Sequence, residues 1–184
     1  MAVYKAGGWS AQRSISGTSS TSLIMNMTDN DHRGIVRIDA NIIPSASTGV
    51  YMSFYNNTTG SGTPLTVKYQ SWPDGTTGGF TNGGSTNMQL TYWNLAGSTT
   101  SAKQSLDAQI WVDNTKQQRS QGRTIVNCQI AYRPSFNIYL QLGVSCQVDT
   151  GGSSSTSLGS IRFGVYSGTM NAKISLHPCM ARYL

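Results

Sequence analysis

Residues 158–177 read LGSIRFGVYSGTMNAKISLH, and this stretch decides the fold. Its apolar side chains occupy every second position, first from Ile161 to Val165 and then from Met170 to Leu176. Such alternation is typical of strands with one buried face and one solvent-exposed face. Because Ser167 and Gly168 separate the two runs, the stretch predicts a β-hairpin that closes the domain.

The same alternation runs through most of the chain upstream of this stretch. Its clearest examples are the segments 36–42, 106–112, 126–132 and 138–148. Turn-forming residues separate the segments at a spacing of roughly 12 residues, and no segment has a convincing helical period. The pattern predicts an all-β protein, a single antiparallel β-sandwich of the jelly-roll type. We expect the sandwich at 22–177, an N-terminal arm at 1–21 and a C-terminal arm at 178–184.

The composition is polar but poor in charge. Charged residues make up 11% of the chain, well below the roughly 25% of an average globular protein. Ser, Thr, Gly, Asn and Gln together supply close to half of the residues, and glutamate is absent. These residue types favour turns and exposed strand faces over helices. Polarity therefore comes mainly from uncharged hydrogen-bonding groups.

The net charge of +6 suggests an anionic partner. The basic residues are spread along the chain, and one of their densest groups is Lys116, Arg119 and Arg123. Nucleic-acid binding normally uses a concentrated basic patch. We therefore expect an acidic protein surface as the partner and no direct contact with nucleic acid.

The cysteines and the apolar segments of the sequence indicate the cellular compartment of the protein. Cys128 and Cys146 stand at apolar positions of strand patterns, and Cys179 completes an odd set without metal-site spacing. Cys128 and Cys146 are interpreted as small buried hydrophobes, and the three cysteines are expected to form neither a disulfide framework nor a metal site. The chain has no signal-peptide pattern and no apolar run of about 20 residues. We expect synthesis in the cytoplasm and no membrane contact.

Aromatic side chains stand on strand faces that the alternation assigns to solvent. A protein with few charges and apolar outer faces is expected to associate with other copies of itself. The interface residues expected on this basis, together with aromatic and basic residues of the two arms and the basic loop, are Tyr4, Trp9, Tyr51, Tyr55, Trp111, Lys116, Arg119, Arg123, Tyr166 and Arg182. We expect a homo-oligomer, with a trimer as the leading possibility.

No motif in the chain carries catalytic chemistry, and we expect neither an enzyme nor a cofactor. His32 follows Asp29 and Asp31, but a turn explains this cluster better than a catalytic pair or a calcium loop, which normally needs a Glu. Asp107 and Asp113 lie about 20 Å apart along one strand, too far for glycoside hydrolysis. A sugar-binding platform formed by Trp72, Tyr92 and Trp93 remains an open alternative, and a polysaccharide depolymerase is the least supported.

The terminal stretch also carries a resemblance. A strand with Ile161-Arg162-Phe163, a Ser-Gly turn and a last strand ending at Leu176 resemble the C-terminal end of a family of small bacteriophage virion proteins. Segments 31–42, 44–49, 50–55 and 106–112 stand where this family has its other characteristic strands and breaks. Members often end near a Leu-Tyr-Gly-Ile-like sequence, whereas this chain continues through 177–184 and so carries an extra arm.

The resemblance implies a non-enzymatic part of a phage virion with a β-sandwich fold. Such proteins serve as capsid decoration (cement) proteins, head fibres or receptor-binding tips. The short segment ahead of the first strand favours a decoration protein on the capsid surface, made in the host cytoplasm and seated on the major capsid protein. The alternative is a receptor-binding fibre tip or adhesin that holds a host surface glycan.

Overall fold

The computed structural model describes residues 13–27, 35–73, 80–91, 94–95, 105–113, 123–132, 140–149 and 158–179. These residues form antiparallel strands and no helix. The strands are β1 (Arg13–Ser20), β2 (Ser22–Asn26), β3 (Ile35–Pro44), β4 (Val50–Tyr55), β5 (Val67–Pro73), β6 (Phe80–Ser85), β7 (Met88–Gln89), β8 (Leu106–Asp113), β9 (Arg123–Tyr132), β10 (Leu140–Asp149), β11 (Ser160–Val165) and β12 (Met170–Cys179).

Two sheets of unequal size pack together. The large sheet has eight strands in the order β1-β12-β3-β8-β9-β10-β5-β6, and the small sheet has four in the order β2-β11-β4-β7. The expected all-β fold and β-sandwich are confirmed. The expected jelly-roll topology is not confirmed by this strand order.

One hydrophobic core lies between the sheets. The large sheet contributes alternate residues of its central strands, such as Ile38, Ile110 and Val126, and the small sheet contributes Phe54 and Phe163. In β8 the burial alternates strictly between buried and accessible positions. Period-two patterning therefore places the apolar side chains inside and leaves the opposite face of the large sheet polar.

The predicted terminal hairpin is wrong in its pairing. The two strands exist, but β11 pairs with β2 and β4 in the small sheet, whereas β12 pairs with β1 and β3 in the large sheet. The turn at Ser167-Gly168 therefore carries the chain from one sheet to the other. Alternation cannot distinguish such a corner from a hairpin, because both leave one face of each strand buried.

Three such corners lie side by side. β1 and β2, β12 and β11, and β3 and β4 each connect the two sheets, and they occur in the same order in both. Hydrogen bonds join neighbouring corners. The Ser45 amide donates to the Thr169 carbonyl at 2.7 Å, and the Ser167 amide donates to Thr48 Oγ1 at 2.9 Å. The corners thus form one bonded edge of the sandwich.

Parts of both expected arms belong to the large sheet. Residues 13–20 form β1, an edge strand that pairs with β12, so this part of the expected 1–21 arm belongs to the large sheet. At the other end, β12 continues through Pro178 and Cys179, which pair with Val36 and Ile35. Backbone pairing of low-charge, Ser-rich segments is invisible to a hydrophobic pattern, because few apolar residues mark the strand.

Candidate binding groove

The solvent face of the large sheet carries a continuous polar surface. The sheet register places Lys173, Asn41 and Asp107 side by side on β12, β3 and β8. A second row places Asp39 opposite Gln109, and Gln109 opposite Gln129. Since these residues alternate with buried ones along each strand, their side chains share the outer face.

A groove of about 860 Å³ crosses this face from β12 to β10. Small residues make room for it, because Ala131, Gly143 and Ser175 lie between the longer polar side chains. The complete lining is Asp39, Ala40, Asn41, Asp107, Ala108, Gln109, Gln129, Ile130, Ala131, Gln141, Leu142, Gly143, Lys173 and Ser175. The groove is therefore built on the backbones of adjacent strands, a rigid support for a binding site.

Both carboxylates of the groove are held by neighbours. Arg37 grips Asp39 in a bidentate pair through Nε at 2.9 Å and Nη2 at 2.7 Å, and His177 Nε2 lies 3.2 Å from Asp39 Oδ2. Asn41 Nδ2 donates to Asp107 Oδ1 at 2.5 Å. The carboxylate oxygens are thereby oriented, and each still has lone pairs to accept hydrogen bonds from a ligand.

The amides of the groove are less engaged. Gln109, Gln129 and Gln141 are all exposed, and among the described residues no hydrogen bond of their side chains is found. A primary amide has two donor hydrogens and an acceptor oxygen on the same group. These glutamines can therefore serve a ligand that itself both donates and accepts.

The arrangement suits recognition of hydroxyl groups. An amide can accept the hydrogen of a hydroxyl and donate to its oxygen, and an oriented carboxylate can accept the hydrogen, while Ala131 and Gly143 add small non-polar contacts. Lys173 is the only cationic residue that lines the groove within the described part of the chain. A phosphate backbone would require several such cations.

The groove also brings two acids onto adjacent strands. Asp39 and Asp107 are diagonal neighbours, because Asp39 pairs with Gln109 while Asp107 pairs with Asn41. Sequence reasoning considered Asp107 with Asp113 and missed this pair. The register between β3 and β8 brings the two together, and no single-strand pattern contains that register.

A second surface lies at the corner edge of the small sheet. The rings of Tyr51 and Tyr166 stand with their centroids 4.9 Å apart, and the ring of Tyr51 covers Gly164 so closely that a Cβ there would lie 2.5 Å from Tyr51 Cζ. Tyr166 is 50% exposed. Partial burial raises the pKa of Tyr166, and a hydrogen bond with Gln89 opposes that rise. Two of the expected interface residues are thus brought together.

Tyr55, by contrast, is not the surface residue that its position suggested. It is 2% exposed, and the guanidinium of Arg162 lies 4.8 Å from its ring centroid. Arg162 Nη2 donates a hydrogen bond to the Gly60 carbonyl, which draws the 56–64 loop over this face of the small sheet. The expectation that Tyr55 forms an interface is therefore wrong, because the chain itself covers the ring.

Of the other expected interface residues, Trp111 and Arg123 belong to the described part of the chain. Trp111 is half-buried on the outer face of the large sheet, opposite Arg37 and Asn127. Arg123 begins β9 opposite Asp149 in the register. The residues that lie outside the described part of the chain are Tyr4, Trp9, Lys116, Arg119 and Arg182, and His32 lies outside it as well.

The expected sugar platform of Trp72, Tyr92 and Trp93 stays a prediction, because none of its side chains belongs to the described part of the structure. Tyr92 and Trp93 lie outside the described part of the chain. The backbone of Trp72 pairs with Gly143, which lines the groove, so Trp72 occupies a register position at the β5 margin. The amides that line the groove were missed because a glutamine on the solvent face of a strand is an ordinary residue that carries no signal of a site.

The two cysteines of the central strands are buried, as the pattern predicted. Cys128 is 4% exposed and Cys146 is 3% exposed, and both are free thiols. Burial raises the pKa of Cys128 well above its usual value, and burial raises the pKa of Cys146 to about 12. Both thiols are therefore protonated and unreactive at neutral pH.

Comparisons with protein-family models, with curated proteins and with solved structures find no match to this chain. Within the described residues, no helix is long and apolar enough to cross a bilayer.

Proposed function

We propose that this protein is a non-enzymatic attachment component of a bacteriophage virion and that it binds a host surface glycan through the groove of the large sheet. The observation that carries the proposal is the row of exposed glutamines beside the two oriented carboxylates. Glycans present many hydroxyl groups that donate and accept at the same time. The groove offers them matching partners at fixed positions on adjacent strands.

The resemblance to small phage virion proteins supports a place on a virion. The resemblance favours capsid decoration over receptor binding, whereas the groove favours receptor binding. A receptor-binding role needs a ligand site on an accessible face. A cement role needs only a surface that fits the capsid. The groove favours the first role because it is concave, polar and built on a rigid support.

The second candidate is a capsid decoration protein seated on the major capsid protein as a homotrimer. The exposed Tyr166 beside Tyr51 favours it. Paired tyrosines supply large contact area at low entropic cost and are common at the centres of protein interfaces. The net charge of +6 would suit an acidic capsid surface.

A glycan array that includes bacterial surface polysaccharides tests the leading proposal. We expect specific binding by the wild-type chain and a loss on the order of tenfold in affinity for Gln129→Ala, since each lost hydrogen bond contributes about 1 kcal/mol. Gln147→Ala is the matched control, because Gln147 is an exposed glutamine on the same face outside the groove. Absence of binding to every glycan would reject the proposal. Release of reducing ends during the assay would favour a depolymerase instead.

Decoration is tested separately with undecorated phage heads. If the protein is a cement, its addition should raise the temperature at which the heads disrupt, and Tyr166→Ser should weaken that effect. Equal stability of heads with and without the protein would count against the second candidate and leave the glycan proposal standing.

A further inference from the structure

The groove does not stop at β12. A second depression of about 360 Å³ adjoins it on the same face and reaches the edge strand β1. Its lining consists of Ser16, Gly17, Thr18, Asn41, Ile43, Asn171, Ala172 and Lys173. Because Asn41 and Lys173 line both depressions, the two are contiguous at this point.

Together the depressions cross six neighbouring strands, from β10 to β1. Five inter-strand spacings of about 4.8 Å give a length of about 24 Å. A single sugar would occupy only a small part of this path. The length instead fits an extended chain that runs perpendicular to the strands.

The charges along the path balance. Lys173, Asn41 and Asp107 stand side by side, so one cation and one carboxylate flank a neutral amide. The other carboxylate, Asp39, is neutralised by its bidentate pair with Arg37. With no excess of either sign, the path has no electrostatic preference for an anionic or a cationic chain.

The two depressions differ in the chemical groups that line them. The larger one has the glutamines and the carboxylates, whereas the smaller one has Ser16, Thr18 and Asn171 around the partly buried Ile43. Hydroxyls, an amide and one apolar side chain suit the polar rim and the non-polar face of a sugar ring. The smaller depression is therefore fitted to a further part of the same ligand.

We propose that the two depressions form one cleft that binds a linear, uncharged polysaccharide along its length, with Asn41 and Lys173 at the junction of two subsites. This inference rests on the proposed glycan-binding function and deepens it, because it names the ligand class and the direction in which the chain lies. Among the described residues, β1 is the edge strand of the large sheet, so the cleft reaches the end of the described sheet on this side.

The test uses graded probes, namely cello-, manno-, xylo- and chito-oligosaccharides and O-antigen fragments, each from disaccharide to octasaccharide. Affinity is measured by titration calorimetry on the full chain. We expect affinity to increase with length until both subsites are filled. Equal affinity for the shortest and longest members of the binding series would overturn the inference while leaving glycan binding intact.

A blocking variant and a truncating variant test the two depressions separately. Ser16→Tyr fills the smaller depression from the edge strand, and it should lower affinity for the long probes on the order of tenfold while leaving the short ones unchanged. Gln129→Ala should weaken both. Gln147→Tyr, on the same face outside both depressions, is the control for an added aromatic side chain.

The outcomes distinguish failure of the two-subsite cleft from failure of glycan binding itself. Failure of all probes to bind would reject the proposed function itself. Loss of short and long probes alike in Ser16→Tyr, or no loss of either, would overturn the two-subsite cleft. An oligogalacturonate series of the same lengths is the charged comparison. Tighter binding of this series than of the neutral probes would overturn the uncharged class, since the balance of Lys173 and Asp107 would then not govern selection.

Discussion

Arg162 is a charged residue in β11, a strand whose other residues are all buried. It is half-buried in the small sheet, where it lies over Tyr55 and donates to the Gly60 carbonyl. Its Nε is buried and has no hydrogen-bond partner within the described part of the chain. An unsatisfied donor costs free energy, so the stacking and the bond to Gly60 must outweigh that cost for the loop to stay closed.

Replacement of Arg162 separates these contributions. We expect Arg162→Ala to lower the free energy of unfolding by about 2 kcal/mol, because it removes a charge-assisted hydrogen bond and the contact with Tyr55. Arg162→Met should cost less, since its stem still covers the ring. Urea denaturation measures both, with the exposed Lys68→Ala as the control. A change within about 0.5 kcal/mol for Arg162→Ala would contradict this account.

The buried thiols predict how stability depends on pH. The pKa of Cys146 is raised to about 12 in the folded chain from a usual value of 9.0, and burial raises that of Cys128 as well. A raised pKa means that the folded state keeps its proton while the unfolded state loses it. The stabilisation is therefore complete below about pH 9 and is lost as the pH rises toward the folded-state value.

We accordingly expect the free energy of unfolding to fall above pH 9.0, the usual pKa of the thiol. Each buried thiol should contribute on the order of 1 kcal/mol per pH unit to the fall. Denaturation of the wild type and of Cys146→Ala from neutral pH upward measures the slope. The variant should be less stable at neutral pH but less sensitive to alkali. Identical slopes would show that this thiol does not govern the dependence.

At the scale of elements, the corners determine how the two sheets meet. The corner between β11 and β12 turns at Gly168, which has a φ of 74°, a left-handed conformation that favours glycine. A Cβ at this position would lie 2.9 Å from Ser45 Oγ. That oxygen accepts a hydrogen bond from the Thr169 amide at 3.0 Å, so the neighbouring corner cannot yield without losing the bond.

Gly168→Ala should therefore destabilise the protein by about 2 kcal/mol, through backbone strain and the contact with Ser45. Gly62→Ala is a matched control, because Gly62 has a φ of 81° and nothing within 4 Å of an added Cβ. In Gly62→Ala the free energy of unfolding should fall only by the cost of the left-handed backbone conformation, about 1 kcal/mol. Thermal denaturation compares them. Equal losses would mean that the contact between the corners contributes nothing.

At the scale of the whole molecule, the sandwich presents two different surfaces. The groove lies on the outer face of the large sheet, and the Tyr51–Tyr166 pair lies at the corner edge of the small sheet. The two surfaces share no residue, so a ligand and a protein partner could bind at the same time. This separation allows the attachment and the assembly hypotheses to be tested independently.

Light scattering coupled to size exclusion tests assembly on the unmodified chain, whose mass is 19.8 kDa. We expect a mass above that of the monomer, because Tyr166 is half exposed beside a second tyrosine and the surface has few charges to prevent contact. A trimer is the leading possibility. Tyr166→Ser should shift the population toward the monomer, while Lys68→Ala should not. A wild-type monomer would remove self-association from the proposal.

The sequence by itself determined the strands that carry apolar alternation, their buried faces and the sandwich. Alternation in segments such as 106–113 and 126–132 identifies which side chains enter the core, and it correctly predicted the burial of Cys128 and Cys146. This information is local, because the period of a strand is set by its own backbone. The low charge and the abundance of Ser, Thr, Gly, Asn and Gln are equally local properties.

The tertiary structure alone decided which strands meet. It turned the expected hairpin around Ser167 into a corner, made residues 13–20 an edge strand, and covered Tyr55 with Arg162. It also assembled the cleft, since Asn41, Asp107 and Gln129 become neighbours only through the registers of β3, β8 and β9. Period two specifies the face of a residue but not its partner across the sheet, and pairing partners are set by long-range packing.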